Sequence, residues 1–234
     1  MHHPVHTFAT NAELSQQLAR RIAADLAEAL ALRRMAILAL SGGSTPQPLF
    51  EALSLQPVDW SRVIVTQVDE RWVEDDHVDS NARLIKQNLL QNRAATAEFL
   101  GMKTPDASPF LAEAAVSAKL APCAEGIDVV VLGMGDDGHT ASFFPGAATL
   151  ARALDPAGAE LCVAVRPPVA PHDRMTLSLA TLLRAHHAYL HIVGAAKQAV
   201  LKRASEPGEI AQLPIRALLH SESPALEIYY ANGN

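Results

Sequence analysis

Two cysteines in 234 residues, Cys123 and Cys162, are too few and too far apart for a disulfide framework, and without C-x-x-C spacing they offer no structural zinc site. They read as buried free thiols. Long hydrophobic runs are missing too. No stretch approaches the roughly 18 apolar residues of a membrane helix, and the opening MHHPVHTFAT lacks the basic-then-apolar order of a secretion signal. A soluble, cytoplasmic protein is the expectation. Clustered positive charge is also absent: 19 Lys and Arg stand against 25 Asp and Glu, a formal charge of −6, which argues against a nucleic-acid footprint. Attraction of an anionic ligand must therefore be local. What remains is a chain with 49% hydrophobic and 19% charged residues, enough to bury a full core, and residues 1–234 are expected to form a single domain.

Periodicity supplies the elements. In TNAELSQQLARRIAADLAEALALRR, Leu14, Leu18, Ile22, Leu26 and Leu30 recur every four residues behind Thr10 and Glu13 in capping-box spacing, which predicts a long amphipathic helix. MAILAL (35–40) predicts a strand buried on both faces, and Thr45 before Pro46 predicts an N-cap for a helix running to about Leu53. Further strands are expected at 62–68, 127–133, 160–165, 174–179, 188–194 and 225–231, with helices over about 81–91, 109–120 and 195–205. Strands alternating with helices imply an α/β layer with a mostly parallel sheet. Ligands in such sheets gather where loops leave the carboxyl ends of strands, and SGGST, DERWV, GMGDDGHTAS and GAAK all occupy that position.

Each of those segments admits a plain and a chemical reading. Ser41-Gly42-Gly43-Ser44-Thr45-Pro46 is either a tight turn or a phosphate cradle of backbone N–H groups at a helix start; no Lys follows, so it is not a Walker A loop. Asp69-Glu70-Arg71 is either a solvated surface ion pair or a strand end presenting Arg71 to a phosphate. Gly133, Gly135 and Gly138 spell G-x-G-x-x-G, but Pro145 and Gly146 interrupt any following helix and Asp136 and Asp137 would repel a pyrophosphate, so a dinucleotide site is disfavoured. His139, beside carboxylates in a glycine-rich loop, suits proton transfer near neutral pH, although nine other histidines make a structural role equally available. Lys197 near a helix start is electrostatically misplaced unless an anion binds there.

Taken in order, LSGGSTP (40–46), VDERWV (68–73) with DSN (79–81), LGMGDDGHTASFFPG (132–146) and RMTLSL (174–179) followed by GAAK (194–197) resemble the 6-phosphogluconolactonase family, which groups with glucosamine-6-phosphate deaminases. The resemblance covers nearly the whole chain. It implies a Rossmann-like three-layer sandwich with a mostly parallel central sheet flanked by helices, to which a small β element could be added. It further implies hydrolysis of 6-phospho-D-glucono-1,5-lactone, the second step of the oxidative pentose phosphate pathway, by a monomer or weak homodimer with no cofactor and no metal. By matched position, Ser41, Gly42, Gly43, Ser44, Thr45, Arg71 and Lys197 would hold the phosphate, His139 would be the general base and Asp137 would orient it. Asp69 matches an acidic residue at the sugar end, and Arg174 is a further candidate for the carbonyl or the phosphate. The deaminase branch carries Asn-Glu-Pro where this chain has Phe143-Phe144-Pro145, so its ring-opening carboxylate is absent. The chain departs from the usual lactonase pattern at Glu74, where proline is common, and in its IYYANGN ending, where an Asp is frequent. A sugar-phosphate sensor that regulates transcription would place a DNA-binding module before a helix expected to start at about residue 11.

Overall fold

A computed structural model describes residues 3–233. In chain order the strands and α-helices are β1 (Val5–Thr10), α1 (Asn11–Leu32), β2 (Ala36–Leu40), α2 (Gln47–Ser54), β3 (Val63–Gln67), β4 (Asp69–Arg71), α3 (Asn81–Asn88), β5 (Glu98–Leu100) and α4 (Pro109–Lys119). The second half adds β6 (Val129–Leu132), α5 (Leu150–Ala153), β7 (Cys162–Val165), β8 (Arg174–Leu177), α6 (Leu179–Leu182), β9 (His187–Val193), α7 (Ala195–Ser205), α8 (Arg216–Leu219) and β10 (Leu226–Gly233).

Seven strands pair in the order β1-β10-β9-β6-β2-β3-β5, every neighbour parallel. Side chains alternate between the faces, so one face takes Leu38, Val65 and Val131 into a core with α1, α2 and α3. The other face sends Ile37, Ile64 and Val130 into a second core with α4 and α7. This explains why the predicted strands are apolar throughout: a parallel sheet covered by helices on both faces has no side to leave polar. The small β element exists as an antiparallel sheet, β4-β8-β7, packed on the second core.

The helix expected after Thr10 forms as read. Thr10 Oγ1 accepts from Glu13 N at 3.2 Å, the Glu13 carboxylate reaches back to Ala9 N at 3.3 Å, and all five stripe residues are buried. Burying each such Leu or Ile contributes about 1.5–3 kcal/mol relative to leaving it in water. Thr45 does not cap α2. Pro46 takes that position with helical torsions (φ −82°, ψ −2°) and no side-chain cap, so the first turn starts one residue late and leaves the Ser41–Thr45 loop free of the helix. Helix α3 stops at Asn88, short of 91. Both thiols are buried and free, and burial pushes each up to about 11, far from reactive. No described helix is long and apolar enough to cross a membrane.

Candidate active site

Because β9, β6, β2 and β3 are adjacent and parallel, the loops after them leave one edge of the sheet together. They enclose a cleft of ≈ 280 Å³ lined by residues 41–45, Asp69, Arg71, His139 and Lys197, joined by Asn81 and His191. Asp137 and Arg174 are not part of its lining.

Part of the cleft lining is built to attract an anion. Among the described residues, the N–H groups of Gly42, Gly43, Ser44 and Thr45 donate to no protein acceptor, and the buried Ser41 hydroxyl has no partner. Two features force glycine here. A Cβ on Gly42 would lie 1.8 Å from Asn81 Oδ1, and Gly43 has φ +101°, which L side chains rarely adopt. Arg71 Nη1 donates to the Asp79 carbonyl at 2.5 Å, which fixes the guanidinium against the cleft wall. Lys197, in the first turn of α7, pairs with the exposed Asp136 at 2.8 Å; an incoming anion would compete with that carboxylate.

Asp69-Glu70-Arg71 is not a solvated ion pair. Glu70 is fully buried, and its carboxylate accepts the N–H groups of Arg71, Asn81 and Ala82, each at 2.8 Å, the Ser80 hydroxyl at 3.2 Å, and Gln67 Nε2. Burial pushes its carboxyl up while the backbone donors pull it down. One side chain thus fastens β4 to the start of α3, and Asn81, held there, donates to the Asp69 carbonyl at 2.8 Å.

The same cleft carries the histidine. After β6 the chain makes turns, not a helix, until Leu150, which removes the dinucleotide reading. Gly135 N donates to the His139 carbonyl at 2.8 Å, Gly138 sits at φ +76°, and Thr140 Oγ1 closes the loop onto the Gly133 carbonyl. Inside this turn Asp137 Oδ1 lies 2.5 Å from His139 Nδ1 and also accepts the His139 N–H at 3.1 Å. That hydrogen bond with the imidazole holds the Asp137 carboxyl below the usual carboxylate range. Nδ1 therefore carries the proton shared with Asp137, leaving Nε2 as the lone-pair nitrogen. The imidazole packs on Phe144 with ring centroids 4.4 Å apart. Ser142, three residues on, donates to Asp69 Oδ2 at 2.6 Å and so ties the histidine loop to β4.

Arg174 lies opposite Arg71 in the β4–β8 register, with its guanidinium 5.7 Å from the Phe144 ring centroid. It is buried and its guanidinium makes no hydrogen bond among the described residues; burial lowers its pKa while Asp69 opposes this. Sequence reasoning missed several lining residues, Asn81 and His191 among them. Asn81 was visible only within DSN. His191 was legible as the one imidazole inside the apolar run AYLHIVG: its Nε2 meets Asn11 Oδ1 at 2.9 Å, Asn11 in turn donates to the Thr45 carbonyl at 3.0 Å, and burial pushes His191 down to about 4.

A sequence profile described as glucosamine-6-phosphate isomerases/6-phosphogluconolactonase matches residues 9–226. The chain is 42% identical over 227 residues to a 6-phosphogluconolactonase of Rhizobium meliloti strain 1021, covering 97% of this chain and 98% of that one. It is 45% identical over 212 residues to a 6-phosphogluconolactonase of Pseudomonas aeruginosa, covering 90% and 88%. A crystal structure of a 6-phosphogluconolactonase from Shewanella baltica OS155 superposes with a TM-score of 0.95 at 43% identity, covering 98% of each chain.

Proposed function

The chain belongs to the glucosamine-6-phosphate isomerase/6-phosphogluconolactonase family, and from that premise we propose that it hydrolyses 6-phospho-D-glucono-1,5-lactone with His139 as the general base. The observation that carries the reading is a single cleft lined both by an Asp137-oriented imidazole and by an anion-attracting set, four unpaired amides with Arg71 and Lys197. A substrate that has a carbonyl and a phosphate fits such a lining.

In this reading His139 Nε2 takes a proton from water as the oxygen adds to the lactone carbonyl. The tetrahedral intermediate then collapses, the bond from the carbonyl carbon to the ring oxygen breaks, and the imidazolium returns its proton to that oxygen. Well-placed acid–base catalysis contributes about 10²–10⁴ in rate. Backbone N–H groups of the 133–138 loop other than those of Gly135 and Gly138, which already donate within the turn, are the candidate donors to the oxyanion; Arg174, buried and outside the cleft lining, would have to swing in to join them. Asp69 lines the sugar end, held by Ser142. Residues 41–45, Arg71 and Lys197 anchor the phosphate, so binding energy far from the reacting carbon orients it. A lactone is already an activated ester, so this chemistry requires no metal or organic cofactor. In this proposal the chain is a single domain that acts as a monomer or weak homodimer in the cytoplasm.

Against deaminase chemistry stands Phe144, an apolar ring against the imidazole at the position where deaminases carry a carboxylate. The discriminating experiment follows acid release from freshly generated lactone beside ammonia release from glucosamine 6-phosphate. Hydrolysis alone is expected; ammonia release alone would overturn the reading.

A further inference from the structure

Outside the cleft, two loops bring together three ligand-type side chains that hydrolysis does not use. Loop 72–80, between β4 and α3, supplies His77 and Asp79; loop 166–173, between β7 and β8, supplies His172. The loops are already seated side by side. Trp72 N donates to the Asp173 carbonyl at 2.7 Å, and Arg166 forks onto both oxygens of Asp173 at 2.8 Å each, closing the β7–β8 hairpin.

We propose that His77, Asp79 and His172 form a site for a divalent transition ion of the Zn²⁺ class, which pins loop 72–80 to the β7–β8 hairpin. One ligand atom from each residue lies within 4.8 Å of the other two. Asp79 Oδ2 is 3.0 Å from His172 Nε2 and 3.7 Å from His77 Nδ1. A tetrahedral ion at about 2.0–2.2 Å from each ligand separates neighbouring ligand atoms by about 3.4 Å, so both spacings need only a few tenths of an ångström of adjustment. Both ligand nitrogens change partners on binding. Asp79 N–H donates to His77 Nδ1 at 3.1 Å, so that nitrogen is unprotonated and would turn its lone pair from the N–H to the ion, and His172 Nε2 would exchange its hydrogen bond to Asp79 for the ion. His172 also has φ +67°, a left-handed backbone uncommon for a residue with a Cβ, and strain of this sort clusters at ligand clamps.

Ligand chemistry sets the class of ion. Two imidazoles and one carboxylate suit Zn²⁺, Co²⁺ or Ni²⁺ over the all-oxygen shells of Mg²⁺ and Ca²⁺. All three residues reach solvent, so the ion can enter, and three protein ligands leave a fourth position for water. Sequence spacing hides the site because His172 lies 93 residues from Asp79. The site adjoins the cleft through the Asp79 carbonyl that holds Arg71.

The test uses the full chain stripped of metal and titrated calorimetrically with ZnCl₂, with Co²⁺ absorption as an independent view of tetrahedral nitrogen and oxygen ligands. One equivalent should bind. Asp79→Asn, His172→Ala and His77→Ala should each weaken it by about tenfold or more, as even groups behind metal ligands do, while His139→Ala leaves this equivalent in place. Zn²⁺ should raise the melting temperature of the parent and fail to raise that of His172→Ala. Absence of a stoichiometric equivalent, undiminished binding by His172→Ala, or loss of binding only in His139→Ala would each overturn the proposal. None of these outcomes depends on lactone hydrolysis.

Discussion

Titrating His191 makes the protein's stability depend on pH in an acid window where the raised carboxyl of Glu70 acts with the opposite sign. The ring is buried against Asn11, its Nδ1 has no partner among the described residues, and burial pushes its pKa from 6.5 to about 4. In the unfolded chain the imidazole takes a proton near 6.5; in the folded chain it resists until about 4. Between these values the unfolded state binds more protons, so stability is complete above 6.5 and falls as pH drops. Fully expressed the effect is about 3 kcal/mol, and at about pH 5 it is about 2 kcal/mol. The depressed carboxyls of Asp137 and Asp173 act in a lower window, below about pH 4. The assay is urea unfolding of the parent and of His191→Leu from about pH 8 to about pH 4.5. Leucine fills the site without titrating, and Asn11 Oδ1 keeps the Ser15 hydroxyl at 3.3 Å, so the variant should lose about 1 kcal/mol at the alkaline end and show a flatter acid limb. Parallel curves for the two proteins would refute the argument.

Three other perturbations separate the roles assigned to the cleft. His139→Ala should lower kcat by about 10²–10⁴ and leave phosphosugar binding by calorimetry nearly unchanged, whereas Arg71→Ala and Lys197→Ala should chiefly raise KM; equal binding loss in all three would contradict the division. Gly135→Ala places a Cβ 2.2 Å from His139 Nδ1, so turnover should fall as in His139→Ala while the fold loses about 1–3 kcal/mol, read by steady-state rates and urea unfolding; normal turnover would refute the tight seat. Glu70→Gln sets an amide among five donors and should cost about 3–5 kcal/mol in the same unfolding assay, with substrate affinity falling as Asn81 and Arg71 lose their anchor.

Strand and helix positions were legible because burial on two faces writes apolar runs and four-residue stripes into the chain. Short elements were legible only as apolar runs, as in the four-residue β6, β7 and β8; β4, β5, α5, α6 and α8 are too short for a period to show, and exposed β1 lacks the apolar signature. Loop chemistry was readable where glycine was compulsory, as at Gly42, Gly43 and Gly138. Partnerships across the chain were not. Asp136 on Lys197, Ser142 on Asp69 and Asn11 on His191 arise from folding, since nothing in the local spacing of either partner requires the other. Glu70 shows the same limit, for an acidic residue between Asp69 and Arg71 looks solvated until α3 is laid over it.

The carboxylate of Glu70 closes a ring of chain, because it grips both the residue that precedes loop 72–80 and the two that follow it. Whatever lies between those grips is an excursion whose length costs little more than loop-closure entropy, about 0.6 kcal/mol per doubling. Inserted segments, affinity tags or grafted peptides placed near residue 75 should therefore be carried without moving Asn81 or the β4 backbone, which makes this loop the natural attachment point for labelling the mouth of the cleft.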